Sequence, residues 1–566
     1  MLWRRFVEKL REFLWKAKNV IKPSGVFKEA AELNCLADLI AFFYRYPLII
    51  NPAPGITITS DKLLLSFLLT RTTELGEGVD YQDLRSTLTV LQRLLSLGKV
   101  FEEVKSIVDD PQTVELLEEV YNKIPADTRP GFNTSGLIPH LLLTSAFSHA
   151  LNRERLSAED LAILRLAALL HDMGKPIDPE KHLEASCDLA QRILRDLVDE
   201  SVLREVIYVI EEHHGTPSTK LSRALRDADI KASQVDRYNE LVKKAIGDVL
   251  RKKCEAAGIP YREPRELSWD EWRQLLKVDP GCMEELTEQF CLEVRKLKDL
   301  PVSDQVGEDW PWLHVVDLRN IQGYIAAAEK LPSLKARSWV VDAVCLYALP
   351  IKLIEKGYPL EAIVVAGGGQ VQVVADRHLD LQEVVDSVLK DLKWSLQDSE
   401  QQIVEVCNGL GSVVAKTKIS PSYIQVRREI ARALDVEKSF LHSRRVELVG
   451  VVEKCSWCYS SAASRKLGDD YVCTTCWALY ELGRELWHRR MGEAQPFQDF
   501  EALRPVKLTV SELFGFDDRD VHEMLMEVLS GYAVDELRKG AFRKPNYAVL
   551  IVDANMAGTF MAHSIS

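Results

Sequence analysis

The sequence predicts a multidomain α+β protein in which an all-α domain comes first and a domain of mixed strands and helices follows it. The chain has 566 residues, which is more than a single hydrophobic core usually organises. Apolar residues recur at helical spacing through the first part of the chain, as in LSAEDLAILRLAALLHDMGK. From Trp310 onward, short runs rich in β-branched residues replace that pattern, and these predict strands.

Changes in residue composition and hydrophobic periodicity along the chain predict six segments. They are a helical domain, a charged helical connector, a mixed α/β domain, a cysteine module, a second helical domain and the beginning of a second α/β domain. In chain order these segments are residues 1–250, 251–305, 306–450, 451–480, 481–545 and 546–566. Since each segment has its own residue pattern, we expect the functional residues to be distributed over several domains.

Composition and charge narrow the class of protein. Hydrophobic residues make up 46% and charged residues 28% of the chain, as in ordinary globular proteins. No run of about 18 uncharged apolar residues occurs, so no membrane span is predicted. The net charge of −13 excludes a uniformly basic surface for nucleic acid, but it leaves room for a local groove or for basic partner subunits.

The N-terminal segment is basic and amphipathic, and it lacks the continuous apolar core and the cleavage site of a signal peptide. Its apolar residues fall on one stripe, which predicts a helix docked on its own domain, with membrane-surface binding as the alternative. That stripe consists of Trp3, Phe6, Leu10 and Phe13. The eleven cysteines do not form a secreted disulfide framework, so we expect a cytoplasmic protein.

The mixed domain begins with LHVVDLRNIQGYI, which starts as a strand and turns helical. The later segment EAIVVAGGGQVQVVAD predicts two strands joined by a glycine turn. The order of strand, helix and hairpin is the start of a ferredoxin-like or palm arrangement. A further strand, YAVLIVDANMAG, is predicted from Tyr547.

Histidines are concentrated in one part of the helical domain, where six of the twelve lie between residues 140 and 214. His171 and Asp172 end an apolar helix, so their side chains can both reach one metal ion. His140 supplies a further nitrogen ligand, and Asp227 or Asp229 in LRDADIKAS supplies a carboxylate. This mixed nitrogen and oxygen set suits Mn, Fe, Co, Ni or Mg better than a closed zinc site.

A second metal ion can be held by His182 together with the pair His213–His214. Two metals about 4 Å apart polarise a phosphate and generate hydroxide, which is the usual physics of phosphodiester cleavage. Lys175 follows the His171–Asp172 pair closely enough to stabilise a phosphate oxygen. We therefore predict His171, Asp172 and Lys175 as the catalytic residues, and we interpret His149 as an ordinary, partly buried histidine.

Four cysteines form two CxxC pairs, Cys455–Cys458 and Cys473–Cys476, with 14 residues between the pairs. This spacing is a specific signal for a tetrahedral zinc–thiolate module such as a zinc ribbon. Four thiolates leave no open coordination position, so the predicted zinc is structural. Gly468, Asp469 and Asp470 lie between the pairs and are interpreted as a turn of that ribbon.

The ordered set H…HD…H…HH…D resembles the HD phosphohydrolase superfamily, which implies metal-dependent hydrolysis of phosphoesters. Ala228–Asp229 followed by Ser233 resembles that family's Ala-Asp…Ser pattern, and it favours Asp229 over Asp227. The order of modules is more specific still. An HD domain, VVDLRNIQGYIAAAEKLPSLKARSW, a GGG hairpin, the paired CxxC module, a helical insert and YAVLIVDANMAG together resemble the large subunit of type III CRISPR effector complexes.

This resemblance identifies the openings of two palm domains. The first is carried by Asp317, Ile321, Gln322, Ile325, Lys335, Arg337 and Ser338, and the second by Asp553, Asn555 and Gly558. In that family the second palm has a Gly-Gly-Asp-Asp turn that makes cyclic oligoadenylate from ATP, and this sequence has none. We therefore expect a fragment that stops inside the second palm. Asp553 would help to bind metal or nucleotide only in a complete second palm, whereas Asp317 is expected to be structural.

The resemblance implies an RNA-guided antiviral effector subunit whose HD domain cuts single-stranded DNA with Mn, Ni, Co or Mg. The implied partners are a guide RNA, a target RNA and smaller effector subunits. One alternative is a stand-alone HD phosphohydrolase acting on nucleotides. Others are a non-catalytic scaffold that anchors the guide RNA, and a large subunit whose palm site has decayed.

Overall fold

The structure is a computed structural model. It describes residues 2–46, 60–96, 99–108, 110–124, 126, 136–261, 269–282, 309–327, 330–396, 402–420, 423–439, 453–459 and 461–491, with residues 285, 289 and 292 between these ranges. The predicted opening of a second palm at residues 546–566, including Asp553, Asn555 and Gly558, lies outside the described residues. The same holds for most of the predicted helical domain at residues 481–545.

The described part of the N-terminal region is built from helices, which confirms the predicted all-α character. Its helices are α1 (Leu2–Ile21), α2 (Ala30–Arg45), α3 (Ser60–Thr70), α4 (Leu84–Ser96), α5 (Lys99–Val108), α6 (Pro111–Lys123), α7 (Leu137–Asn152), α8 (Ala158–Leu170), α9 (His182–Leu194), α10 (Glu200–Glu212), α11 (Lys220–Ala257) and α12 (Trp269–Val278). Helix α11 continues past residue 250, where the sequence texture changes.

Side-chain caps explain where three of these helices begin. Ser157, Asp199 and Thr219 each accept a hydrogen bond from a backbone N–H in the first turn of α8, α10 and α11 respectively. These caps satisfy donors that a helix leaves unpaired at its N-terminus. Helix α8 is buried from Leu161 to Leu170 and lies at the centre of the helical region.

Helix α1 packs on the helical region through its apolar stripe, as its sequence predicted. Trp3, Phe6, Leu10 and Phe13 are all buried. The Phe13 ring lies 5.2 Å from the ring of Phe43 on α2, measured between centroids. None of the helices in the described ranges is both long enough and apolar enough to cross a membrane.

After the helical region the chain forms an antiparallel sheet, which confirms the predicted change to strands. Strands β1 (Trp312–Arg319), β2 (Ile363–Gly367), β3 (Gln370–Ala375) and β6 (Gly411–Lys418) form it in the order β2-β3-β1-β6. The β2–β3 hairpin turns through Gly367, Gly368 and Gly369, which all have positive φ, a conformation that favours glycine. Asp317 on β1 lies opposite Gln370 of β3.

Further helices and short strands surround this sheet and continue beyond it. The helices are Ile321–Ala326, Leu331–Ala343, the π-helical turn Val344–Ala348, Leu349–Glu355, Leu381–Asp391, Tyr423–Ser439 and Thr474–Met491, and the strands are β4 (Lys393–Ser395), β5 (Ile403–Glu405), β7 (Arg465–Leu467) and β8 (Asp470–Val472). Strands β7 and β8 pair as a hairpin that turns at Gly468, as predicted for the segment between the cysteine pairs.

A buried ionic network lies where the helical region meets the sheet region. The Arg165 guanidinium on α8 donates two 2.8 Å hydrogen bonds to Glu361, just before β2, and one of 2.6 Å to Asp38 on α2. Asp38 also accepts a hydrogen bond of 2.5 Å from Arg71. Burial opposes ionisation of Asp38, but the two guanidinium groups outweigh it and lower its pKa. The charges of these buried side chains therefore offset one another.

Candidate metal centre

Three predicted histidine ligands are oriented in the same way. In His171, Nδ1 lies 2.8 Å from the carbonyl oxygen of Ala168. The Nδ1 atom of His182 lies 3.1 Å from the carbonyl oxygen of Pro179, and that of His213 lies 2.6 Å from the carbonyl oxygen of Ile210. In each case the carbonyl belongs to the residue three positions earlier. A proton donated from Nδ1 leaves the Nε2 lone pair available to a metal ion, which is the usual arrangement of ligating histidines.

His140, His171, Asp172 and Asp229 form the first cluster, and one ligand atom from each lies within 4.8 Å of the others. Nε2 of His140 is 3.1 Å from Oδ1 of Asp229 and 3.6 Å from Oδ2 of Asp172. Nε2 of His171 is 3.3 Å from that same Oδ2 atom of Asp172. The structure therefore brings together the four ligands predicted for the first metal ion.

The remaining histidines form two overlapping clusters. One contains Asp172, His182 and His214, and the other contains His213, His214 and Asp229, each within the same 4.8 Å limit. Nε2 of His182 lies 3.1 Å from Nε2 of His214. The sequence grouped His182 with both His213 and His214, whereas the structure separates His182 from His213. Asp172 and Asp229 consequently each belong to two clusters.

Asp227, the alternative to Asp229, lies away from these clusters. Its carboxylate forms a 2.5 Å ion pair with Lys231 one helical turn later, and its side chain is 54% exposed. The Asp229 side chain is only 13% exposed, and its Oδ1 atom lies among the histidines. The geometry therefore supports the choice of Asp229.

Lys175 lies beside the first cluster. Its ammonium group forms an ion pair with Asp172 and donates a 3.0 Å hydrogen bond to the carbonyl of Ala126. The side chain is 19% exposed, so the charge lies close to the carboxylate and still reaches the protein surface. This location is compatible with the predicted contact between Lys175 and a phosphate oxygen.

The charges of the cluster reinforce one another. Burial disfavours the charged form of His171, but Asp172 and Asp229 outweigh it and raise the pKa of His171 to about 10. Burial also opposes ionisation of both carboxylates. Nearby His171 and Lys175 nevertheless hold the pKa of Asp172 well below its usual range, and His140 and His171 do the same for Asp229. Both carboxylates are therefore ionised at neutral pH, and a bound cation would take the place of the extra proton that they favour on His171.

His213 is in the opposite electrostatic situation. Burial, together with the neighbouring rings of His171 and His214, lowers its pKa to about 3. Partial removal from water likewise lowers the pKa of His214, although its side chain is more exposed. A neutral imidazole is the form that binds a metal ion, so His213 is available as a ligand over the whole neutral range.

The donor set fits a divalent cation. Nε2 of His171, Nε2 of His213 and Oδ1 of Asp172 are buried and make no hydrogen bond within the described part of the chain. Buried polar atoms without partners are costly, and cations bound in the clusters that contain these residues would provide the missing partners. The mixture of imidazole nitrogen and carboxylate oxygen suits a transition metal or Mg²⁺.

Gly174 allows helix α9, which begins at His182, to approach the His171–Asp172 pair. A Cβ atom at this position would clash with the carbonyl oxygen of His182 and with the backbone nitrogen of Ser186, both on α9. The N–H of Gly174 also donates a 2.8 Å hydrogen bond to the Ser186 hydroxyl. The absence of a side chain thus brings His182 close to the first cluster.

His149 and Asp317, which the sequence suggested to be structural residues, lie outside the candidate metal clusters. His149 is buried on α7 with its ring 6.2 Å from that of Tyr358, between centroids, so it belongs to the packing between the helical and sheet regions. Asp317 forms a 2.8 Å ion pair with Lys438, which is a structural contact. Neither residue belongs to the clusters of candidate metal ligands among the described residues.

The four predicted cysteine ligands also form one cluster. The sulfur atoms of Cys455, Cys458, Cys473 and Cys476 all lie within 4.8 Å of one another. The neighbouring thiol of Cys458 raises the pKa of Cys473 to about 11, mainly through a hydrogen bond between the two sulfur atoms. A cation bound to the four sulfur atoms would replace that contact, so the sulfur cluster fits a thiolate-bound metal. The Arg337 guanidinium donates a 3.6 Å hydrogen bond to the Cys476 sulfur.

The ionic network around Arg165 was not predicted from the sequence. One signal was present, because Arg165 interrupts the otherwise apolar run LAILRLAALL. A charged residue on the buried face of a helix needs a partner of opposite charge. The partner is Glu361, which lies 196 residues later in the chain, so local sequence patterns could not identify it.

Comparison with known families supports the assignment of the histidine region. The family model for the HD domain matches residues 137–245, from the start of α7 into α11. This range includes every predicted ligand of the histidine and aspartate clusters. The helical region therefore contains an HD domain.

One curated relative extends the resemblance beyond that domain. The chain is 26% identical over 186 residues to the CRISPR system single-strand-specific deoxyribonuclease Cas10/Csm1 (subtype III-A) of Streptococcus thermophilus. The match covers 30% of this chain and about a quarter, 24%, of that relative. The chain thus resembles the Cas10-like large subunit of type III CRISPR effector complexes, and the resemblance inferred from the order of sequence motifs is confirmed.

Solved structures of Csm1 are also similar over part of the chain. Csm1 from T. onnurineus matches with 12% identity and a TM-score of 0.26, covering 53% of this chain and 49% of that chain. Csm1 in the Csm1–Csm4 subcomplex of the type III-A CRISPR-Csm interference complex matches with 12% identity and a TM-score of 0.21, covering 53% and 48%. Each match covers about half of this chain and about half of the solved chain.

Proposed function

We propose that the chain is all or part of the large subunit of an RNA-guided type III CRISPR antiviral effector complex, and that its HD domain is a metal-dependent nuclease for single-stranded DNA. The observation that carries this proposal is the sharing of Asp172 and Asp229 between overlapping histidine clusters. A carboxylate shared by two ligand groups is typical of two-metal sites that cleave phosphodiesters. The printed name of the curated relative, a single-strand-specific deoxyribonuclease, supports the substrate class.

The ligands divide between two cation positions. His140, His171, Asp172 and Asp229 would hold one ion. The two clusters that share His214, one with Asp172 and His182 and the other with His213 and Asp229, would provide the ligands of the second. Mn, Ni, Co or Mg would suit these donors. When bound, such cations stabilise the negative charge that develops on a phosphodiester during hydrolysis.

The chain's own residues determine how a substrate reaches this site. His171 and His213 are buried, whereas His214 is exposed and His182 is partly exposed, so the cluster of Asp172, His182 and His214 is open to solvent at its histidines. A phosphate would enter on that side. Lys175, held against Asp172, would then lie where its ammonium group can neutralise a phosphate oxygen.

The sheet region supports the further proposal of a palm domain. The strand order β2-β3-β1-β6, with helices between β1 and β2 and between β3 and β6, follows the split β-α-β arrangement of ferredoxin-like domains. We assign the four cysteines to a structural zinc ion in a zinc ribbon. A second palm completed beyond this chain would use Asp553 for metal or nucleotide and could then accept ATP.

In the proposed complex, the chain would work together with RNA and with other protein subunits. A guide RNA would recognise a target RNA by base pairing, and other effector subunits would provide basic surface, which agrees with the net charge of −13 on this chain. We place the complex in the cytoplasm, where a cluster of four thiols remains reduced and able to bind zinc.

Cleavage of a labelled single-stranded DNA by the purified chain tests the proposal, in separate reactions with Mn²⁺, Ni²⁺, Co²⁺ or Mg²⁺. We expect metal-dependent cutting that a His171→Ala, Asp172→Ala double variant loses. Asp227→Ala is the matched control, since it removes a carboxylate from the same region without touching the clusters, and it should cut normally.

The alternatives give different results in the same assay. Hydrolysis of mononucleotides without DNA cleavage would indicate a stand-alone HD phosphohydrolase. A folded chain that binds metal but cuts neither substrate, alone or after reconstitution with guide RNA and partner subunits, would indicate a scaffold.

A further inference from the structure

His171 and Asp172 directly follow α8, whose last backbone carbonyls have no partners within the helix. The Ala168 carbonyl accepts a hydrogen bond from Nδ1 of His171, as described above, and the Leu170 carbonyl accepts one of 3.3 Å from the N–H of Met173. The carbonyl of Leu169 instead accepts a 3.0 Å hydrogen bond from the hydroxyl of Tyr44, which belongs to α2.

A second long-range contact holds the residue after Asp172. The indole Nε1 of Trp3, on α1, donates a 2.8 Å hydrogen bond to the carbonyl of Met173. The Tyr44 hydroxyl also lies 3.5 Å from the sulfur of Met173. Two side chains from the first two helices therefore hold the backbone on both sides of the His171–Asp172 pair.

Both contacts are buried. Tyr44 is 0% and Trp3 is 4% exposed. Because water cannot reach these carbonyls easily, loss of either donor would leave a buried acceptor that must move to find a new partner. Any such movement changes the directions of the His171 ring and the Asp172 carboxylate, because Leu169 lies two residues before His171 and Met173 directly follows Asp172.

We propose that Tyr44 and Trp3 are positioning residues of the metal centre. They hold the turn that presents His171 and Asp172, and they touch neither the cation nor the substrate. This inference rests on the proposed role of the HD cluster as a metal site. Ligands must be held to within a fraction of an ångström for tight binding, so residues that orient a ligand affect metal affinity.

A purely structural role would produce a different result, and Tyr347 offers the matched control. Tyr347 is also 0% exposed, and its hydroxyl donates a 2.9 Å hydrogen bond to the carbonyl of Tyr81 and lies 2.7 Å from the hydroxyl of Thr87. Tyr347→Phe therefore removes the same kind of buried hydroxyl-to-carbonyl bond as Tyr44→Phe. Only the latter change lies next to the metal ligands.

The experiment measures Mn²⁺ affinity of the full chain by electron paramagnetic resonance of free Mn²⁺, together with the thermal midpoint. The His171→Ala, Asp172→Ala double variant defines binding outside the HD site. We expect Tyr44→Phe and Trp3→Phe each to weaken Mn²⁺ binding about 10-fold. Tyr347→Phe should lower the thermal midpoint by a similar amount to Tyr44→Phe and leave Mn²⁺ affinity at the wild-type value.

Three results would overturn the inference: wild-type Mn²⁺ affinity in Tyr44→Phe and Trp3→Phe, an equal loss of affinity in Tyr347→Phe, or no binding at the HD site of the wild-type chain. The readout is independent of DNA cleavage. If the wild-type chain binds Mn²⁺ but does not cut DNA, the proposed nuclease fails while the positioning role is still decided by affinity.

Discussion

The Nε2 atom of His140 lies 3.1 Å from Oδ1 of Asp229, although 89 positions separate the two residues in the sequence. This contact joins α7 to α11 and brings the last carboxylate to the His171–Asp172 pair. Since each helical residue turns the chain by about 100°, Asp227 points roughly to the opposite side of α11. The packing of α11 against α7 therefore decides which aspartate enters the site.

The two aspartates of α11 should differ sharply when substituted. We expect Asp229→Ala to lower the rate of metal-dependent cleavage by about 100-fold or more, because a carboxylate shared by two ligand groups is lost. Asp227→Ala should remain within about 2-fold of wild type, because that side chain is solvent-exposed and pairs with Lys231. Single-turnover rates at saturating Mn²⁺ provide the comparison. Equal effects of the two changes would contradict this arrangement of ligands.

Gly174→Ala should destabilise the chain and disturb the cluster that contains His182. The new methyl group would collide with backbone atoms of α9, which cannot move as a flexible side chain would, so we expect a loss of about 1–3 kcal/mol in urea unfolding. Gly281→Ala is the control. Its Cβ would lie 3.6 Å from the nearest heavy atom, a side-chain oxygen, and should change stability by less than about 0.5 kcal/mol.

Arg165→Met should be strongly destabilising. The change leaves Glu361 and Asp38 buried without the guanidinium that both contact, and removing one member of a buried ionic network typically costs about 3–5 kcal/mol. Lys123→Met removes an exposed ion pair with Glu119 and should cost no more than about 0.5 kcal/mol. Urea midpoints of both variants test the difference. A loss below about 1 kcal/mol for Arg165→Met would show that the network is dispensable.

His149 should make the protein less stable in mild acid. Burial, helped by Arg165 and Arg153, lowers its pKa to about 3 in the folded chain from about 6.5 when unfolded. Below pH 6.5 the unfolded chain therefore binds a proton that the folded chain does not, so stability is full above that pH and declines as the pH falls towards 3. Between pH 6.5 and 5 this amounts to roughly 2 kcal/mol.

The variant His149→Gln lacks this titration and should show a flatter dependence of stability on pH over the same range. Unfolding midpoints of wild type and variant at pH 7, 6 and 5 measure the difference. Parallel curves for the two proteins would mean that His149 is not the group responsible.

The cysteine cluster should hold one equivalent of zinc. Cys458→Ala removes one of four thiolates, and we expect the zinc content measured by mass spectrometry to fall to near zero. Cys187→Ala is the control, because Cys187 lies on α9 outside the cluster, and zinc content should be unchanged. Full zinc in Cys458→Ala would contradict a four-thiolate site.

Much of this protein follows from local patterns in the sequence. The His171–Asp172 pair, the later histidines and the paired CxxC spacing predict candidate metal ligands because each chemistry needs particular residue types at particular separations. The glycine hairpin after β2 and the apolar stripe of α1 are likewise properties of short segments. Such features are encoded by neighbours in the chain, so they can be predicted before any tertiary contact is known.

Other features were decided only by tertiary packing. The separation of His182 from His213, the sharing of Asp172 and Asp229 between clusters, and the pairing of Arg165 with Glu361 all join segments that are distant in sequence. The face of α11 that carries Asp229 inward follows from its contact with α7, which periodicity alone cannot identify. The sequence by itself determined which side chains can bind metal, and the packing of helices decided which of them meet, because burial selects one face of each helix.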